Sequence, residues 1–216
     1  MSLMNFLNLL TLCRLKFIIK HDFIGEGGVK LMVEVANQND LDTMQNQFYK
    51  VFKNTDPFGE LFHDSIEHRL ILCPVKQYRL NKDQYHALLQ ATKAEGDTIF
   101  YITETELEDC FSIAEPHFIQ PRSWQCSLQL SFDDYDDNWF YLENTIYSPN
   151  GKWGLMISHE DHAVLGGSKL FIDTFTQYYA EWSEGYDNFI KMWDENKKLY
   201  NLKYDWIDGF LKHVYR

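Results

Sequence analysis

Proline is scarce, at five residues in 216, and cysteine scarcer, at four. Cys13, Cys73, Cys110 and Cys126 include no CxxC pair. Structural zinc draws on closely spaced ligand pairs, so this pattern argues against it. A chain of this length buries a full core without a disulfide framework, and reduced thiols in the cytoplasm are expected. Positive charge is the second shortage: 20 Lys and Arg stand against 32 Asp and Glu, a formal net charge of -12. Phosphate neutralisation needs clustered Lys and Arg, and no basic run interleaved with aromatics occurs, so nucleic acid and anionic membranes are disfavoured as partners.

Long apolar runs are missing too. Phe6 to Cys13 is apolar, but Arg14, Lys16 and Lys20 break it off, and a membrane-spanning helix needs roughly 20 apolar residues. No basic segment precedes that run and no small-residue cleavage site comes after it, so it does not read as a signal peptide. The patterns GxGxxG, GxxxxGK(S/T) and GxSxG are absent, which removes the local signatures of dinucleotide, P-loop and α/β-hydrolase chemistry.

The rest of the composition is apolar and aromatic. Hydrophobic residues make up 45% and aromatics 16% of the chain, enough for a packed core. Glu26-Gly27-Gly28 can be encoded as GAAGGAGGT, a bacterial ribosome-binding sequence, and Met32 stands downstream at a workable spacing. On that reading residues 1–31 are a leader artefact or a flexible segment, and 32–216 form a single domain. On the competing reading Val29, Leu31, Val33 and Val35 alternate as a strand does.

Downstream the periods change. Leu41, Met44, Phe48, Val51 and Phe52 recur at helical steps, with Asp40 as the expected N-cap. Arg69 to Tyr78 reads as a strand, with Pro74 marking an edge or bulge. Asn81-Lys82-Asp83-Gln84 resembles a capping box, opening a helix with Tyr85, Leu88, Leu89 and Thr92 on one face. Gly96-Asp97 stops it, and Thr98 to Thr103 is a strand. Ser127 to Phe132 and Trp139 to Ser148 alternate like strands. Ser148-Pro149-Asn150-Gly151 suits a type I turn, leading to a return strand with Trp153, Leu155 and Ile157 and a third at Ala163 to Leu165. Ser168 is placed to cap a helix whose stripe is Phe171, Phe175, Tyr178 and Trp182. Two further helical patterns end the chain: Tyr186, Phe189, Ile190 and Trp193, then Trp206, Ile207, Phe210, Leu211 and Val214. The expected fold is α+β: an antiparallel β-meander packed with helices, with a helical C-terminus.

The run from Asn138 to Phe175, with its Ser-Pro-Asn-Gly-Lys-Trp-Gly turn and its Leu165-Gly166-Gly167 junction, resembles a segment of uncharacterised bacterial proteins. In being small, acidic, α+β and aromatic-rich, the chain is similar in style to acidic immunity proteins of bacterial toxin systems. The likeness implies a binding role and carries over no catalytic residue.

Two constellations invite chemistry. Asp133, Asp134, Tyr135, Asp136, Asp137 and Trp139 combine dense negative charge with large aromatics, the mixture a protein-binding patch for a basic partner uses. Asp134, Asp136 and Asn138 mimic the first calcium-loop ligands, but Trp139 stands where the loop needs Gly and Thr145 where it needs Glu. Glu104, Glu106, Glu108 and Asp109 form a second acidic run, expected to be exposed. His159 and His162 are weak metal candidates, because a zincin helix needs its second His at the position Ala163 occupies. No cofactor is expected. The expectation is a non-catalytic domain that binds a basic bacterial effector, in the manner of an immunity or antitoxin-like protein. A housekeeping or regulatory domain is the alternative, and a metal-assisted hydrolase using His159 and His162 comes third.

Overall fold

Alternating apolar residues build one antiparallel sheet. The computed structural model describes residues 23–24, 30–106, 110–111, 121–138, 140, 143–201 and 203–215. The apolar run Phe6 to Cys13 and the Glu26-Gly27-Gly28 segment lie outside the described residues. Among those described, the strands are β1 (Phe23–Ile24), β2 (Lys30–Glu34), β3 (His68–Leu72), β4 (Ile99–Glu104), β5 (Ser123–Ser127), β6 (Asn144–Tyr147), β7 (Gly154–Ile157) and β8 (Ala163–Gly167). They lie in the order β1-β2-β5-β4-β6-β7-β8-β3, every pairing antiparallel. The expected meander is β6-β7-β8. The α+β architecture and the helical C-terminus are as the sequence patterns indicate.

Helices cover both faces. On one face lie α2 (Lys82–Ala94) and α4 (Lys169–Tyr178), whose Tyr85, Leu88, Ala91, Phe171 and Phe175 bury against Phe100, Ile102, Ile146, Leu155 and Leu165. The short α3 (Phe132–Asp136) sits beside them. On the other face lie α1 (Gln38–Val51), α5 (Gly185–Tyr200) and α6 (Ile207–Val214), which place Met44, Phe48, Phe189, Trp193 and Phe210 against Tyr147, Met156 and Val164. Alternate strand residues point to opposite faces, so β3, β4, β6, β7 and β8 each feed both cores.

Local chemistry sets the helix ends. The Asn81 and Gln84 capping box forms as expected, as does the Ser168 cap, whose Oγ accepts the Phe171 N–H at 3.1 Å. Helix α1 starts earlier than its charge pattern suggests. Asn37 is the N-cap and Asp40 stands within the first turn, where a carboxylate favours the helix dipole. Strand β3 ends at Leu72 rather than Tyr78, because Pro74 has no N–H to continue a ladder. Ser127 to Phe132 is no strand: β5 ends at Ser127, and the apolar residues beyond it alternate through a turn into α3. The stripe expected to reach Trp182 stops with α4, leaving Tyr178 and Trp182 exposed and Trp182 in a 3-10 turn.

Among the described residues, the outer edge of β3 meets helix instead of another strand. A Cβ on Gly185 would lie 2.1 Å from the Ile71 carbonyl oxygen, so glycine is what lets α5 touch that backbone. Asn188 Nδ2 donates to the Cys73 carbonyl at 3.1 Å. At its other end the sheet begins with β1 and β2, and Leu31 and Met32 of β2 are buried in the first core.

Candidate functional site

The Ser-Pro-Asn-Gly-Lys-Trp-Gly segment is organised by a residue far away in sequence. The Gly151 N–H donates to the Ser148 carbonyl at 3.2 Å, closing the expected turn, and Gly151 takes φ 68°, a conformation that favours glycine. Beneath the turn lies the buried carboxylate of Asp97. It accepts from Ser148 Oγ at 2.7 Å, Asn150 Nδ2 at 2.6 Å and Trp153 Nε1 at 2.9 Å. A buried carboxylate is tolerated when its lone pairs are filled this way. Trp153 in turn stacks on Phe171, with ring centroids 4.8 Å apart. The motif therefore ties the end of α2 to the β6-β7 hairpin and to α4, and its conspicuous residues are consumed by folding.

The aspartate run forms a helical turn rather than a loop. Ser131 caps α3, its Oγ accepting the Asp134 N–H at 3.1 Å and donating to Asp134 Oδ2 at 2.7 Å. Asp133 and Asp137 are exposed, while Asp134 and Asp136 are half-buried. Arg79 pairs with Asp136 at 3.1 Å. Tyr135 is fully buried, so it is not a surface anchor as expected. Its hydroxyl accepts the Leu80 N–H at 3.0 Å and its ring stacks on Tyr85 at 4.5 Å. A helix of this pitch turns one residue inward while its neighbours face water, which the unbroken charge of the run conceals. Trp139 lies outside the described residues.

The second acidic run is also divided. Glu104 is buried, held by Arg122 through Nη2 at 2.8 Å and Nε at 3.2 Å. Glu106 is exposed, and Glu108 and Asp109 lie outside the described residues.

His159 and His162 occupy the β7-β8 turn but point to different environments. His159 is 41% exposed at its side chain, and its Nδ1 lies 2.6 Å from Glu143 Oε1. Glu143 also accepts the His159 N–H at 3.2 Å. Burial pushes the Glu143 carboxyl up, and His159 only partly offsets this. His162 is fully buried, among Phe58, Phe189 and Phe210. Burial pulls its imidazole down to about 4, against the pull of the Glu160 and Pro57 carbonyls. With one ring outward on a carboxylate and the other inside an aromatic core, the pair does not converge on a metal. Among the described residues no group of three or more His, Cys, Asp or Glu could hold one.

Sequence reading missed Asp97 and Glu143. Asp97 carries a local signal, coming directly after the Gly that ends α2, but its partners lie over 50 positions away. Glu143 has none, being one acid before a short strand. No described helix is long and apolar enough to cross a membrane. Compared with protein families, curated proteins and solved structures, the chain matches none.

Proposed function

We propose that the protein is a non-catalytic, cytoplasmic binding protein whose acidic surface takes a basic protein partner, as an immunity or antitoxin-like protein of a bacterial toxin system would. The observation carrying this reading is α3. A capped helical turn, pinned from below by Tyr135, presents the carboxylates of Asp133, Asp134 and Asp137 from a fixed backbone on a chain of net charge -12. Fixed charges of one sign raise association rates and select partners of opposite sign. The test is affinity capture from host lysate, with a variant carrying Asn at 133, 134, 136 and 137 alongside. A basic protein held stoichiometrically by the wild type, and lost from the variant or in high salt, is the expected result. A partner held equally by both overturns the assignment to α3, and capture of nothing basic overturns the reading.

A second reading rests on the Glu143–His159 pair. A half-exposed imidazole oriented by a buried carboxylate has the arrangement of a general base in hydrolysis. It requires hydrolase activity that His159→Ala abolishes while leaving the fold intact.

A further inference from the structure

Between α1 and the β2 end of the sheet lies a hollow of about 100 Å³, lined by Val35, Asp40, Thr43, Met44, Tyr101 and Gln125. It is too small for a drug-sized ligand, whose pockets run to several hundred Å³. Its chemistry is one-sided. Asp40 supplies a carboxylate, Tyr101, Thr43 and Gln125 supply oxygen acceptors, Val35 and Met44 supply apolar wall, and no Lys or Arg is among the lining residues. Thr43 already spends its proton on the Asn39 carbonyl at 2.9 Å, which leaves its oxygen to accept. Asp40 is exposed and bonded to Asn37 Nδ2 at 2.6 Å, with its carboxylate capacity otherwise open. Tyr101 is 8% exposed, yet its side chain lines the hollow. Burial and the Asp40 charge push its phenol up, and no hydrogen bond offsets them. A neutral phenol whose ring is packed and whose hydroxyl has no partner among the described residues, beside a carboxylate and further oxygen acceptors, is a good way to start a cation site.

We infer that this hollow receives the guanidinium of a single arginine side chain, its methylenes lying on Val35 and Met44 and its N–H groups meeting Asp40, Tyr101, Thr43 and Gln125. Guanidinium suits the site better than ammonium because its five donors spread in a plane and reach acceptors on several sides. The inference rests on the proposed reading for the source of that arginine, a basic partner; the chemistry of the hollow is independent of it.

The test is titration of the isotope-labelled full chain, monitored by amide NMR, with N-acetyl-arginine amide, n-butylguanidinium and the neutral isostere n-butylurea. The two cations are expected to shift Met44, Tyr101 and Gln125 saturably, and butylurea is expected to leave them unmoved. Asp40→Asn should weaken binding about tenfold, roughly 1.4 kcal/mol. Gln125→Lys, an exposed position, should abolish binding by placing a tethered ammonium in the hollow. The Asn variant of α3 should bind as wild type does. Equal shifts with butylurea, no saturation, or unchanged binding in Asp40→Asn would overturn the site. A partner of the α3 surface that survives Asp40→Asn and Gln125→Lys with undiminished affinity overturns the partner as the arginine's source. Saturable binding of the cations with no basic partner captured leaves the site standing while the broader reading falls.

Discussion

Across the middle of the sheet one face reads Trp124, Ile102, Ile146, Leu155, Leu165 and Leu70, residue opposite residue. One position along each strand, the other face reads Gln125, Tyr101, Tyr147, Gly154, Gly166 and Arg69. The first row is uninterrupted apolar surface beneath α2 and α4. The second is polar at both ends, aromatic within, and glycine where the chain above descends. A Cβ on Gly154 would lie 2.4 Å from Phe52, and one on Gly166 2.7 Å from Ile66. Beside this row, Thr103 Oγ1 lies 3.1 Å from both Ser123 Oγ and the Tyr147 hydroxyl, a buried polar chain under α1. The first face is built by filling space and the second by close approach and hydrogen bonding. The second is therefore where the hollow beside Asp40 and the buried imidazole of His162 lie.

The comparison breaks most directly at Leu155. Leu155→Ala should cost about 2–5 kcal/mol in urea unfolding, the range for a cavity in a filled core. A loss well under about 2 kcal/mol would show that the apolar face repacks freely.

Next in size is a pH effect belonging to the second face. His162 titrates near 4 when folded against an ordinary 6.5. The unfolded chain thus takes up a proton across that window while the native chain does not, so stability is complete above 6.5 and falls as pH drops toward 4. The loss amounts to about 3 kcal/mol. Glu143 acts oppositely, because its raised carboxyl protonates first in the native chain and adds stability as pH falls toward its ordinary range. The informative quantity is the difference between wild type and His162→Leu, measured at about pH 7 and about pH 4.5. A difference independent of pH would rule out the buried neutral imidazole.

Gly154→Ala should cost about 1–3 kcal/mol through overpacking against Phe52 and Val51. The loss should be recovered in part by Phe52→Leu; no recovery would place the strain elsewhere. Smallest is Tyr147→Phe, about 1 kcal/mol from the hydroxyl chain, read by thermal unfolding.

Features decided within a few residues were legible in the sequence. The Asn81 and Ser168 caps, the Ser-Pro-Asn-Gly turn and the alternation of β7 all depend on neighbours along the chain. The second face was not legible, because its logic is long-range. The polar junction between α2 and α4 was illegible for the same reason, since nothing near Asp97 announces that Ser148, Asn150 and Trp153 will fill its lone pairs. Nothing near Gly154 announces that Phe52 will press on it. The aspartate run misleads in the opposite way: its composition points to uniform exposure, whereas helical geometry sends Tyr135 inward and Asp133 and Asp137 outward. Asp40 reads as a cap for α1, a place that belongs to Asn37, and its position at the mouth of a hollow depends on the pairing of β4 with β5.

The contact of Gly185 and Asn188 with the backbone of Ile71 and Cys73 also bears on how copies of this protein keep apart. An unpaired strand at a sheet's end is a template for another chain's strand. Here a helix that cannot extend the ladder stands in that position. Any cleavage, fusion or heat that lifts α5 away from β3 converts a closed border into a growing one, and the first symptom would be fibrous self-assembly rather than loss of secondary structure.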